Sequence, residues 1–392
     1  MTFHLKKMSE FPPRDVLIDI LARLPIKCLV QCTTVCKSWY SLITSPIFIT
    51  IHLNRSDVMN KDNKLFLVRR CSSDQNEEHY SLHYDNQMFD EYAKVRFPLK
   101  SYANYNFRII SSCNGVICLS YDQFFITNDL YLWNPSIQKL MALPPVRVRL
   151  QSRGSFMHNI GFGFDPLTND YKVIRIVFSN PGEIPPEVDI FTLSTGTWRD
   201  IRHLCLPYII EDRAPLAYVN GAAHWIASDR RGVLRGRLIV SFHIGDEVFR
   251  EIMLPGSMAI DVSYPLSLRV AKFQESLCLI EMQLSGHFGN IGKYYCVWMM
   301  KEYGVATSWT KQFNIDMGKI LESAVLTSNG FLVSSDPESK KLRDLEIYGS
   351  TYSWHKDQFY AYTESLVLLG LKPPVLRGKE IEADEKTKEE RE

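Results

Sequence analysis

The chain has 392 residues, with 45 lysines and arginines against 44 aspartates and glutamates, a formal net charge of +1. That balance argues against a general electrostatic attraction to nucleic acid or to an anionic membrane. No stretch is long and apolar enough to span a bilayer, the opening residues lack the apolar core of a secretory signal, and 9 cysteines, an odd number, do not read as a disulfide framework.

The expected compartment is the cytoplasm, the nucleus or both, so the sequon Asn54-Arg-Ser56 is not expected to be glycosylated. Residues 9–53 read as a small all-α module. Asp15 can cap a helix whose turns carry Val16, Leu17, Ile18, Ile20, Leu21 and Leu24. Pro25 ends it, having no N–H and disfavouring helix before it. A second helix is expected over 27–35, and a third carries Lys37, Trp39, Leu42 and Ile43. Ser45-Pro46 reads as an N-cap followed by proline at the first helical position, opening a last turn through Phe48, Ile51 and Leu53. About forty residues cannot bury this much apolar surface internally. A partner, or the rest of the chain, must cover it.

Residues 54–63 are polar and read as a linker. From 64 to 370 the chain is β-rich and repetitive. Six segments end in an aromatic: Ser81-Leu-His-Tyr84, Leu130-Tyr-Leu-Trp133, Asp189-Ile-Phe191, Val240-Ser-Phe242, Cys296-Val-Trp298 and Leu345-Glu-Ile-Tyr348. The intervals between those aromatics are 49, 58, 51, 56 and 50 residues. A period near fifty suits a kelch-like blade of about four strands, hence a six-bladed β-propeller. Hairpins precede most copies, turning at Asn114-Gly115, Asn220-Gly221 and Asn329-Gly330, at the longer turn 165–170 and near Gln274-Glu275. The apolar run 359–369 is expected to return as the innermost strand of the first blade, beside 64–70. Residues 371–392 are highly charged and are expected to be disordered.

In such a blade the short turns fall on one face and the long loops on the other. The long set is 122–129, 144–157, 179–186, 203–215, 228–236, 255–267 and 285–293. Binding residues concentrate on such loops. Two are basic, one with Arg147, Arg149 and Arg153, the other with Arg230, Arg231, Arg235 and Arg237. They read either as solvated surface or as a patch for an acidic protein target, since guanidinium forks pair with carboxylates.

Motifs for bond chemistry are sparse. Gly161-Phe-Gly163 lacks the third glycine of a dinucleotide loop. Cys28, Cys32 and Cys36 recur every four residues but lack paired C-x-x-C spacing, so they read as small buried apolar side chains. Cys113 and Cys118 flank a hairpin turn and read as core. His79 and His83 read as surface histidines, and His224, beside Trp225, as a hydrogen-bonded core histidine. No catalytic residue, metal site or cofactor is assigned.

Two resemblances organise these features. Pro13 and Asp15, Ile20 to Pro25, Lys27 to Leu29 and Val35 to Trp39 keep the spacing of the plant F-box pattern. Pro12 departs from it, standing where leucine is usual, as do Gln31 and Cys32, where arginine and phenylalanine are frequent. The segments Ser111-Ser-Cys-Asn-Gly-Val-Ile-Cys-Leu119, Tyr131-Leu-Trp-Asn-Pro-Ser136, Gly161-Phe-Gly-Phe-Asp-Pro166, Asn169-Asp-Tyr-Lys-Val173, Thr195-Gly-Thr-Trp198 and Val219-Asn-Gly-Ala-Ala-His-Trp225 resemble the plant F-box-associated interaction domain. Together they resemble a large plant family that includes S-locus F-box proteins. The resemblance implies that Pro13, Ile20, Leu24, Pro25, Leu29, Val35 and Trp39 grip, or support the grip on, a Skp-type adaptor. It implies a non-catalytic substrate-receptor subunit of an SCF-type ubiquitin ligase, joined through the adaptor to cullin and RING subunits, with no cofactor. Two other readings stay open: a propeller enzyme with a central metal or sugar site, and an F-box protein that binds only the adaptor.

Overall fold

A computed structural model describes residues 13–59, 65–71, 78–86, 90–99, 107–123, 127–146, 156–179, 186–204, 206–210, 216–229, 237–256, 268–273, 275–285, 292–316, 326–327, 330–331 and 357–371. Four helices come first: α1 (Arg14–Leu21), α2 (Ile26–Cys32), α3 (Lys37–Ile43) and α4 (Pro46–Met59). Pro13, not Asp15, occupies the N-cap of α1, and no side chain caps that end. Asp15 instead sits in the first turn, where a carboxylate favours the helix dipole. α2 is shorter than expected because the Thr33 and Thr34 hydroxyls fold back onto the carbonyls of Val30 and Gln31, at 2.6 and 2.8 Å. Cys36 therefore lies at the start of α3 rather than on one helical face with Cys28 and Cys32. Cys28 and Cys36 are exposed, against the expectation of burial: Cys28 lies on the side of α2 away from the inner cluster, and Cys36 at the N-cap of α3. Ser45 Oγ accepts from the Phe48 amide at 3.3 Å, as its N-cap position requires. α4 continues through Met59, across the first half of the polar 54–63 stretch.

Strands follow in antiparallel blades. Blade I takes β1 (Leu65–Cys71), β2 (Glu78–Tyr84) and β3 (Glu91–Val95). Blade II is β4 (Phe107–Cys113), β5 (Val116–Gln123), β6 (Thr127–Asn134) and β7 (Lys139–Ala142). Blade III is β8 (Phe156–Asp165), β9 (Asp170–Ser179), β10 (Glu187–Thr192) and β11 (Thr197–Asp200). In blade IV, β12 (Tyr208–Ile210) and β13 (Ala217–Val219) pair with the two halves of β14 (Ala222–Asp229), followed by β15 (Arg237–His243) and β16 (Val248–Met253). Blade V is β17 (Leu268–Phe273), β18 (Ser276–Ser285), β19 (Gly292–Met300) and β20 (Trp309–Asp316). A two-stranded ladder, β21 (Leu326–Thr327) with β22 (Gly330–Phe331), precedes β23 (Asp357–Tyr362). β23 pairs with β1 and gives blade I its fourth strand.

The expected return of the chain end thus occurs, over 357–362; residues 363–371 leave the sheet. The expected count of six does not hold: the described residues form five blades. Five of the six aromatic-ended segments supply the third strand of a blade. The sixth, Leu345 to Tyr348, lies outside the described residues. Between β20 and β23 the described residues form only the short ladder β21–β22, in place of a sixth four-stranded blade. The ring nevertheless closes. β23 packs on β4, β4 on β8, β8 on β14, β13 on β17, β17 on β22 and β21 on β23.

Asn114 and Gly115 have φ of 51° and 75°, and Asn220 and Gly221 have 50° and 72°, the double positive φ of a tight hairpin turn. At β21–β22, Thr327 pairs with Gly330, and Asn329 lies outside the described residues. Gly161 and Gly163 are packing glycines. A Cβ on Gly161 would lie 2.9 Å from the Trp225 ring, and one on Gly163 would lie 2.1 Å from Tyr218. Blade IV therefore presses its aromatics directly on the β8 backbone. The Tyr218 hydroxyl donates to the Phe164 carbonyl at 2.8 Å.

Polar groups are buried with partners. Glu78 accepts from Arg69 at 2.7 Å, from the Tyr80 hydroxyl at 2.8 Å and from the Phe107 amide at 3.1 Å. Lys172 donates to Asp165 at 2.9 Å and to Glu247 at 3.0 Å, tying blade III to blade IV. His224 is buried between the Ala217 carbonyl at 3.1 Å and the Tyr303 hydroxyl at 2.8 Å, as a core histidine should be. Burial holds its pKa down, to about 4. His83 departs from its surface reading: it is buried, 2.9 Å from Ser81 Oγ. Strand alternation does not separate the faces of an inner strand covered on both sides. Cys113 and Cys118 are core residues, and burial pushes the Cys113 thiol up to about 12.

Candidate functional site

The helical module faces two ways. Leu21, Ile26, Leu29, Ile43 and Phe48 form its inner cluster, which Leu366 from the chain end completes. Two polar ties hold α4 to α1. Asp19 accepts from Arg23 at 2.6 Å and from Arg55 at 3.0 Å, and these guanidiniums hold its carboxyl below the usual range. His52 Nε2 lies 3.1 Å from the Leu24 carbonyl, and burial lowers its pKa.

The outer surface is unusually apolar. Val16 and Ile20 stand one turn apart on α1, with Ile20 49% exposed. Val35, between α2 and α3, is 63% exposed, and Tyr40 on α3 is also open. Ile47 and Ile51 stand one turn apart on α4, Ile47 at 71%. Of the residues expected to meet an adaptor, Pro13, Ile20, Pro25 and Val35 are exposed, and Leu24 and Trp39 are half-buried at the edge of the inner cluster. Leu29 is fully buried, so its part can only be support. Val16, Tyr40, Ile47 and Ile51 were not singled out for this surface; the signal for Val16 and for Ile47 with Ile51 is i, i+4 apolar pairing on one helix, and Tyr40 had none.

The module sits on the short-turn face of the propeller. Thr50 on α4 donates to Asn169 in the β8–β9 turn at 3.4 Å. Ile137, in the 3₁₀ turn Pro135–Ile137 between β6 and β7, packs against the inner helical cluster. Arg147, Arg149, Arg153, Arg230, Arg231 and Arg235 lie outside the described residues. Among the described residues no group of three or more His, Cys, Asp or Glu side chains could hold a metal ion, and no helix is long and apolar enough to cross a membrane.

Comparison with known proteins matches residues 13–50 to the F-box domain and residues 57–363 to the F-box associated beta propeller domain. The chain belongs to the family of F-box proteins that carry this propeller. The F-box protein At3g07870 of Arabidopsis thaliana is 29% identical, over 88% of this chain and 90% of its own length. The F-box protein CPR1 of the same plant is 29% identical, over 92% of this chain and 88% of its own. The Arabidopsis F-box/kelch-repeat protein At3g23880 is 25% identical, over 77% of this chain and 79% of its own.

Proposed function

We propose that this chain is the substrate-receptor subunit of an SCF-type ubiquitin ligase. Its F-box docks on a Skp-type adaptor, and through it on cullin and RING subunits, in the cytoplasm or nucleus. The propeller holds a target protein. The chain contributes proximity, raising the effective concentration of target lysines near the ubiquitin-loaded enzyme, and performs no bond chemistry itself. One observation carries the reading: Val16, Ile20, Val35, Tyr40 and Ile47 stand exposed on a module that already has a closed inner core. Apolar surface left outside a completed core favours association.

Seating of the F-box on the short-turn face supports a target on the opposite face, the face for which the sequence predicts the basic loops. Co-purification of the full chain with adaptor and cullin tests the docking half; a chain that elutes free of both contradicts it. Charge reversal at Arg147, Arg149 and Arg153, or at Arg230 and Arg231, tests the target half. The expected result is loss of target capture with adaptor binding kept, and unchanged capture refutes the basic-face assignment.

A further inference from the structure

Residues 363–371 leave β23 and touch both halves of the molecule. Leu366 is buried in the F-box cluster with Leu29, Ile43 and Phe48, and Leu369 packs on the same cluster. Val367 and Leu368, between them, are buried in the propeller core. The Asn134 side-chain amide donates to the Ser365 carbonyl at 2.9 Å, to Ser365 Oγ at 3.2 Å and to the Val367 carbonyl at 2.7 Å. Lys139 Nζ donates to the Leu371 carbonyl at 2.7 Å. On the F-box side, a Cβ on Gly370 would stand 2.9 Å from the Thr44 Cβ. Gly370 has φ of 81° and Leu368 has φ of 75°. A leucine holds that conformation only where its surroundings over-determine it.

We propose that residues 363–371 are a strap that makes seating of the F-box conditional on ring closure. The strap starts at Tyr362, the end of the strand that completes blade I. The Tyr362 hydroxyl lies 2.6 Å from Ser136 Oγ and accepts from the Ser136 amide at 3.1 Å, which aims the strap across blade II. Ring closure therefore delivers Leu366 to the F-box core. A chain whose end has not returned leaves that core short of one side chain and leaves the helices unanchored. The inference rests on contacts within the chain, not on the identity of any partner.

Hydrogen exchange read by mass spectrometry tests it on the full chain, on Gly370→Val and on a chain ending at Tyr362. In both variants the amides of α2 and α3 should exchange about tenfold faster or more, with β18 and β19, whose core cluster holds no strap residue, as protected as in the parent. Unchanged exchange of the helices in either variant overturns the proposal. So does equal loss of protection in β18 and β19, because the whole chain would then have lost stability rather than the F-box its seat.

Discussion

In the F-box, Val16, Ile20, Val35, Tyr40, Ile47 and Ile51 stand exposed on a module of four helices. In the five blades, the large apolar side chains exposed among the described residues are Tyr92, Leu167 and Met253, and each lies alone on a different blade or turn. The blades bury charge instead, as Arg69 with Glu78 and Lys172 with Asp165. A ring of sheets covers both faces of every blade with its neighbours, so polar groups inside must find partners within the chain. Short helices cannot cover themselves, and the strap supplies only the inner side of their core. The first region leaves apolar surface open to association, and the second buries its own among the described residues.

The largest effects come from breaking each interior where it is most committed. Arg69→Ala leaves Glu78 without its buried counter-ion and should cost about 3–5 kcal/mol in urea unfolding. Leu29→Ala should cost about 2–5 kcal/mol and act on the helices. An Arg69→Ala chain as stable as the parent would show that the propeller interior does not depend on paired charge.

Acid acts on both regions, through His52 in the helices and through the more deeply buried His224 in the blades. Burial lowers the His224 pKa from 6.5 to about 4. The unfolded chain then binds the proton more readily, so this contribution is present above pH 6.5 and fades as pH falls toward 4, by on the order of 3 kcal/mol. His224→Gln should remove that part of the acid sensitivity, seen as a flatter fall of the unfolding midpoint between pH 7 and 4.5. An unchanged slope would mean that other groups carry the acid response.

The smallest stability effects belong to the outer F-box surface. Val16→Ser and Ile47→Ser should leave the unfolding midpoint within about 0.5 kcal/mol of the parent. A loss of several kcal/mol would show that these side chains belong to the fold rather than to a docking surface.

What the residues announced depended on range. The helices and the Asn-Gly turns are local, set by proline, by positive φ and by apolar spacing over a few residues. The return of 357–362 to β1 was also legible, because an apolar run without a place met a blade lacking a strand. The strap was not, since Asn134 and Ser365 are partners across most of the chain and neither type signals the other. Nor was the side of α2 that carries Cys28, because Lys27 and Gln31 mark one polar edge of the helix but do not show how far the uncovered side extends beyond them. Periodicity found the five blades but gave a count of six, since an interval counts residues and not strand partners, and past β20 the described residues form only a two-stranded ladder before β23. Of the docking surface, Ile20 and Val35 were legible through the family pattern, whereas Val16, Tyr40, Ile47 and Ile51 emerged only once the inner cluster was defined.

The central claim is that the exposed apolar face of the F-box is a docking surface for a Skp-type adaptor. Isothermal titration of the full chain with that adaptor, beside the double variant Ile20→Asp, Val35→Asp, tests it most directly. Both side chains are open to solvent, so the variant should unfold at the parent's midpoint. The expected result is a stable complex for the parent and an affinity lower by about a hundredfold or more for the variant, because charge placed in a desolvated interface core goes unpaired. Equal affinity of the two chains, or no binding by the parent, would contradict the claim.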